Sequence, residues 1–413
     1  MADGYLRPKF TIIKILDQNM KKALSLLGVL ALTFSYHTQA QLAGYDVLLV
    51  SGFQMGQLTN QPDSADAVYN DAVDYWSDTP WGNKAEGYLA WDSSDRMEGA
   101  GGIAEEAATR LAYYVSQEGR CVSASPCILV THSTGDLVAR YLMANKESLL
   151  DGKLTEAQIE DVSVVSILDF AGAGGGTELA SAAVTLYSGA SSVVSGIDSV
   201  IEFISGWSLG DAVESWLGID PTSVDSLGVM NDLQPSTARS HATSSISSIP
   251  RLRFVGTGEY AGYGWMTALI IEGSDDSTVP LHSACGSASS GSYASCVSNV
   301  SIEGESKSVS APGNLWDYHY PTLMGEDVDH SQVVGTTTGK DLVYVSTVPG
   351  ANVAGISTEF DTYTETKTVK FQVTSKNWWK FWTWWDTKHY YYEKVQGTDN
   401  RSMSDVVFDT LNS

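Results

Sequence analysis

Apolar positions in this chain recur in two rhythms. Short, mainly apolar runs mark strands: Val47-Leu-Leu-Val50, Ile128-Leu-Val130, the stretch 162–168, Arg251-Leu-Arg-Phe-Val-Gly256 and Ala268-Leu-Ile-Ile271. Between them lie segments of helical spacing. Residues 103–117 gather Ala107, Ala108, Leu111, Tyr114 and Val115 on one face, and Leu137, Val138, Tyr141 and Leu142 repeat in the same way. Strand-type and helix-type segments in alternation predict an α/β fold with a doubly wound, mainly parallel central sheet.

The alternation breaks in two places. Residues 172–248 are rich in Ser, Gly and Ala, with Ile197, Val200, Ile201 and Ile204 at i, i+3, i+4, i+7 and with Leu209, Val213 and Leu217 continuing an apolar face. This insertion reads either as packed helices or as a mobile helical lid with an apolar underside. Residues 346–413 follow as a β-rich, aromatic C-terminal extension, with Trp378-Trp-Lys-Phe-Trp-Thr-Trp-Trp385 and Tyr390-Tyr-Tyr392. Those rings suit a packed hairpin or a sticky surface for lipid, polymer or polysaccharide. The expected organisation is 1–40, 41–345 carrying the insertion 172–248, and 346–413, with no internal repeat.

The densest chemistry lies at Cys127-Ile-Leu-Val-Thr-His-Ser133-Thr-Gly-Asp-Leu-Val-Ala-Arg. An apolar run, a tight turn and an amphipathic helix would hold Ser133 at the apex, where a base can reach its hydroxyl. Ser-x-Gly occurs four times, at Ser133, Ser208, Ser226 and Ser289, but only Ser133 sits between a strand-type run and a helix. A serine needs a base, and the base an orienting acid. The run 268–271 is expected to form a strand leading to Asp275-Asp276, and Val328-Asp329-His330 reads as a loop histidine. Ser133, Asp276 and His330 stand in nucleophile–acid–base order. Asp275 and Asp169 are rival acids, and His319 is a rival base that reads better as structural. His132 reads as packing around the turn; His241 and His282 show no partner pattern. Backbone N–H groups of Phe53, after Val47-Leu-Leu-Val-Ser-Gly52, and of Thr134 are the candidate oxyanion donors.

These segments, with Asp275-Asp-Ser-Thr-Val-Pro-Leu-His-Ser-Ala284 and Asp329-His-Ser-Gln-Val-Val334, resemble the conserved stretches of secreted bacterial α/β-hydrolase lipases and esterases, most nearly the true-lipase group of pseudomonads and Burkholderia. The resemblance covers roughly residues 44–335 in patches. Gly174-Gly-Gly-Thr-Glu-Leu-Ala180 is similar to the stretch where their lid begins. It implies an α/β-hydrolase fold and a Ser-His-Asp triad acting through an acyl-enzyme. Three positions depart from the pattern. Thr131 replaces the first glycine of Gly-x-Ser-x-Gly, and Ser51-Gly52 replaces a His-Gly dipeptide. Gln332 stands where the pseudomonad-type enzymes carry a calcium-binding Asp, so no calcium site is carried over and no cofactor is expected.

Met20-Lys-Lys followed by Ala23–Phe34 reads as a basic start and apolar core of a signal peptide, with Thr38-Gln-Ala40 as its cleavage site. A retained N-terminal anchor is the alternative. Cleavage would leave a secreted, extracellular or periplasmic protein. The 40 residues removed carry five basic and two acidic side chains, so the net charge moves from −25 to −28. Such a surface disfavours nucleic acid and anionic membrane. Cys121, Cys127, Cys285 and Cys296 form an even set in an exported chain and read as two disulfides, with three connectivities open. No metal-ligand spacing occurs. The expected function is hydrolysis of a carboxylic ester or lipid, with a transient lipid or polymer interface. The alternatives are a polyester depolymerase or phospholipase with the same triad, and a non-catalytic surface-binding protein.

Overall fold

The computed structural model describes residues 41–413 except 190–208, 219, 221–223, 243–247, 261–263, 299, 301–309, 346, 349–351, 354 and 375–382. The signal-peptide reading of 1–40 and the apolar set Ile197, Val200, Ile201 and Ile204 lie outside the described residues.

Six strands form the parallel part of one sheet: β1 (Asp46–Val50), β2 (Gly87–Tyr88), β3 (Cys127–His132), β4 (Val164–Phe170), β5 (Arg251–Gly256) and β6 (His319–Gly325). They lie in the order β2-β1-β3-β4-β5-β6, each parallel to its neighbour. β7 (Leu342–Tyr344) adds to β6 in antiparallel sense. β8 (Asn352–Val353) and β9 (Ile356–Ser357) form a separate small pair. The long antiparallel hairpin of β10 (Thr362–Thr374) and β11 (Thr383–Val395) then joins the main sheet through β7, giving nine strands. Crossing helices, reversal of strand order about β1 and β3, and a strand–turn–helix at the centre make this an α/β-hydrolase fold.

β1 is buried at every position because helices cover both faces of the sheet. Its side chains alternate between two cores. Leu48 and Val50 pack with Leu129, Ile103, Leu111, Leu137 and Leu142. Val47 and Leu49 pack with Ile128, Val130, Phe170, Phe254, Trp81 and the C-terminal helix Met403–Leu411. That last helix starts on a capping box, Ser402 with Asp405, and closes one face with Met403, Val406 and Val407. The helix 103–117 is regular over Ile103–Tyr113 and widens to a π turn over Tyr114–Glu118, with all five predicted face residues buried.

The expected strand at 268–271 is not formed. Ile270 and Ile271 both donate to the Thr267 carbonyl, continuing the short helix Gly264–Thr267 as turns; Ile271 is buried in the core and Ile270 packs against it half-buried. β6 occupies the sheet position beside β5 instead. A four-residue apolar run has too little length to compete with a seven-residue strand whose last five residues are fully buried.

The insertion contributes the helices Glu178–Tyr187, Leu209–Leu217 and Pro235–Ala242. Val213, Trp216 and Leu217 are buried in the same core as Leu179 and Ala183. Disulfides join Cys121 to Cys127 and Cys285 to Cys296, the sequence-local pairing of the three open connectivities. No helix among the described residues is long and apolar enough to cross a membrane.

Candidate active site

Ser133 follows β3 directly, before the helix Gly135–Ala144, and its φ is +55°. A non-glycine residue in the left-handed region stores of order 1–3 kcal/mol of strain, typical of functional turns. The turn is tight against β1. A Cβ at Gly135 would stand 2.5 Å from the Val50 carbonyl oxygen and 2.7 Å from that of Ser51. At Gly52 a Cβ would come within 2.8 Å of Ser133 Cβ and collide with the Tyr75 hydroxyl. Both glycines are therefore demanded by backbone approach at the serine. Thr131, which replaces a glycine of the family pattern, fits because its hydroxyl is absorbed: Oγ1 donates to Asp169 Oδ1 at 3.0 Å.

Asp276 lies in the loop before the short helix Leu281–Ala284 and is fully buried. Its Oδ2 faces His330 Nδ1 at 2.8 Å. Its Oδ1 accepts from the Thr278 and Val279 N–H groups at 3.1 and 2.7 Å, and its carbonyl oxygen accepts from the His330 N–H at 2.9 Å. Two loops far apart in sequence are thus locked together through backbone and side chain. Nδ1–H donation to the carboxylate leaves Nε2 of His330 as the free acceptor of a neutral ring. Ser133, Asp276 and His330 all line one cavity of about 150 Å³, as do Phe53 and Thr134. Trp216, Leu233, Tyr260 and Val279 supply apolar wall, so the insertion borders the cavity.

The rival residues lie elsewhere or point elsewhere. Asp275 caps its own turn by accepting from the Ser277 N–H at 2.7 Å; burial and the adjacent Asp276 carboxylate push it up to about 7. Asp169 sits behind the turn against Arg253 at 2.8 Å. Burial, opposed by Arg253 and reinforced by Asp136, pushes it up to about 7. His319 opens β6, where its Nδ1 meets the Asp317 carbonyl. Burial and the nearby Arg140, Arg253 and Arg251 hold it well below the ordinary histidine value.

Sequence reasoning missed three features here. His132 does more than pack: its ring stacks on His330 with centroids 4.6 Å apart, its Nε2 meets the His330 carbonyl at 2.9 Å, and its Nδ1 meets the Tyr75 hydroxyl. Burial and then His330 hold His132 well below the ordinary histidine value, so it is neutral, with Nε2–H as donor and Nδ1 as acceptor. His282 and His241 do have partners: His282 joins Glu178 and Arg239, and His241 joins Glu98 and Asp232. Behind the turn, Asp136 binds Arg251 at 2.9 Å and Arg253 at 3.0 Å, all three fully buried. The signal for this cluster was visible: two arginines at i, i+2 inside an otherwise apolar strand require buried partners.

Gln332 is spent on its own loop. Its side chain accepts from the Asp329 N–H and its N–H donates to Asp329 Oδ1 at 3.0 Å. Among the described residues no group of three His, Cys, Asp or Glu is arranged to hold a metal ion.

No family model matches the chain, and no curated protein matches it. Among solved structures it is similar to the mature form of a Bacillus licheniformis lipase, at 12% identity and TM-score 0.33, over 60% of this chain and 81% of that one. It is similar to the Staphylococcus hyicus lipase at 13% identity and TM-score 0.36, over 72% and 90%. It is also similar to lipase 1 of Pelosinus fermentans at 15% identity and TM-score 0.33, over 71% and 94%.

Proposed function

We propose that the chain is a secreted serine carboxylic-ester hydrolase, a lipase or esterase, with Ser133, His330 and Asp276 as its triad. The observation that carries this reading is the 2.8 Å contact of His330 Nδ1 with Asp276 Oδ2, in a cavity that the strained Ser133 also lines. Ser133 Oγ attacks the ester carbonyl carbon while His330 Nε2 takes its proton. Negative charge gathers on the carbonyl oxygen, and the Phe53 and Thr134 N–H groups stabilise it. Collapse expels the alcohol, which takes the proton from His330. Water, activated by the same ring, then releases the acid and restores Ser133. Asp276 fixes the ring tautomer and stabilises its charged form.

The apolar wall formed with Trp216, Leu233 and Val279 suits an acyl chain, and the helix Leu209–Leu217, which carries Trp216, would serve as part of a lid. A pseudomonad-like true lipase is the finer form of the proposal. A fluorophosphonate should label the wild-type chain at Ser133, located by peptide mass, and should leave Ser133→Ala unlabelled. Nitrophenyl esters of graded chain length, a triglyceride emulsion, a phospholipid and a polyester film then separate esterase, lipase, phospholipase and depolymerase. Absence of labelling in a folded chain would reject the proposal.

A further inference from the structure

His330 is held by its backbone as well as by its ring. Its N–H donates to the Asp276 carbonyl oxygen at 2.9 Å. Its own carbonyl oxygen meets Nε2 of His132, also at 2.9 Å. The acid and the residue before Ser133 therefore each grip His330 at the main chain. His132 closes β3 and is buried, so its ring and Ser133 are fixed to one stretch of backbone.

His132 is gripped in turn from its other nitrogen. Tyr75, on the helix Ala65–Ser77, brings its hydroxyl to His132 Nδ1. The same hydroxyl lies against Gly52, where a Cβ would collide with it. Gly52 precedes Phe53, the first candidate oxyanion donor. The Tyr75–His132 pair thus touches all three segments that ester hydrolysis would have to hold in register: the end of β1, the Ser133 turn and the His330 loop.

One carbonyl fixes the order of the hydrogens. The His330 oxygen can only accept, so Nε2 of the neutral His132 carries the hydrogen and Nδ1 the lone pair. Tyr75 must then donate to Nδ1. Burial, opposed by the Gly52 N–H, pushes the Tyr75 hydroxyl up, so it keeps that hydrogen. Tyr75 lines the cavity, yet its hydrogen is committed to His132 and none is left for a substrate oxygen. The His132 ring also lies against that of His330, with the planes tilted by 32°. Rotation of the His330 ring is thus limited by this face and by the Asp276 bond at Nδ1.

We propose that His132 and Tyr75 are positioning residues for the base: the chain from Tyr75 hydroxyl through the His132 ring to the His330 carbonyl sets Nε2 of His330 against Ser133. This rests on the Ser133–His330–Asp276 triad put forward above and adds two residues that touch no reacting atom. A misplacement of about 1 Å can cost roughly a hundredfold in rate. Leucine at 132 keeps bulk but makes neither bond. Glutamine there keeps an N–H near the place of Nε2. Phenylalanine at 75 keeps the ring but frees His132 to carry its hydrogen on Nδ1, which would turn a lone pair on the His330 carbonyl oxygen.

The test is steady-state hydrolysis of a soluble nitrophenyl ester by the full chain, with fluorophosphonate labelling of Ser133 alongside. His132→Leu should lower kcat roughly a hundredfold with KM changed less than about twofold. His132→Gln should recover at least about tenfold of that loss. Tyr75→Phe should lower kcat about tenfold alone and less than about twofold in the His132→Leu background, because Tyr75 acts only through His132. Val130→Ala, a cavity in the same strand, should lower the melting temperature and leave kcat within about twofold, which separates placement of the base from general loosening. Wild-type kcat in folded His132→Leu or Tyr75→Phe would overturn the positioning role, as would equal losses for His132→Leu and His132→Gln. So would a Tyr75→Phe loss of roughly 10²–10³ that persists in the His132→Leu background, the mark of an oxyanion donor. If His132→Leu does not fold, Tyr75→Phe decides alone. A wild-type chain that takes no label at Ser133 overturns the triad itself; label at Ser133 with unchanged kcat in Tyr75→Phe overturns the positioning role alone.

Discussion

Two buried carboxylates, Asp276 on a loop and Asp169 near the end of β4, were rivals for one role, and their surroundings could hardly differ more. Asp276 faces a single imidazole, takes two backbone N–H bonds, and looks into a cavity. Asp169 faces Arg253 and the Thr131 hydroxyl, in a cluster with Asp136, Arg251 and Arg140 and no route to Ser133 through a histidine. The first arrangement suits an acid that orients an imidazole, the role proposed for Asp276. The second ties β4, β5 and the helix Gly135–Ala144 together through buried ion pairs. It braces the active-site side as well. Arg253 donates to the Ser283 and Ala284 carbonyls of the short helix that follows the Asp276 loop, and Asp136 accepts from the Gly174 N–H. Residue type and chain order nominate both acids; only the groups opposite them separate an orienting acid from a structural one.

The comparison breaks first if the triad is wrong. Ser133→Ala and His330→Ala should each lower kcat for a nitrophenyl ester by about 10⁵–10⁶. Asp276→Asn should cost about 10⁴, since the acid orients and is not consumed. Asp169→Asn in the same assay should cost less than about tenfold. A larger loss for Asp169→Asn than for Asp276→Asn would invert the assignment.

The structural cluster should answer in stability instead. Burial pushes the Asp136 carboxyl up, but Arg253 and Arg251 outweigh it and hold it below the usual range. Asp136→Asn leaves buried guanidiniums uncompensated and should cost about 3–5 kcal/mol in denaturant unfolding. A loss below 1 kcal/mol would mean that water reaches the cluster.

Asp275 gives a smaller, pH-dependent effect. Its folded value of about 7 lies above the unfolded one, so folding retains a proton that the unfolded chain releases. This contribution to stability is constant in acid, declines as pH rises from about 4 to about 7, and levels off above. Asp275→Asn keeps the acceptor for the Ser277 N–H and removes the strained charge. It should gain about 1–2 kcal/mol at pH 8 and nothing at pH 4, read from paired unfolding curves. A gain of equal size at both pH values would trace to something other than titration. Smallest of all, EDTA should leave activity and melting temperature unchanged; loss restored by calcium would require a site that the Gln332 loop does not offer.

What was legible from sequence follows from how local each signal is. The Ser133 turn is written in fifteen consecutive residues, so strand, turn and helix could all be placed. Asp276 and His330 were nominated by type, order and flanking apolar residues, and their side chains meet at 2.8 Å, although the strand expected before Asp276 is not formed. β6 escaped notice because Pro321 and its polar neighbours break the apolar run, and only the sheet position beside β5 makes it a strand. The stacking of His132 on His330 depends on two loops meeting 198 residues apart, which no local pattern encodes. The arginines of β5 were seen as strand residues, but their partner on the neighbouring helix required the folded sheet.

The left-handed backbone at Ser133 has a consequence for anyone improving this protein by selection. Glycine would adopt φ +55° without strain, so Ser133→Gly should melt higher than the wild type while doing no chemistry. A screen that rewards heat resistance alone would therefore enrich variants that lack the proposed nucleophile. Survivors of such a screen must be counted by product formed, because at this one position robustness and usefulness pull in opposite directions.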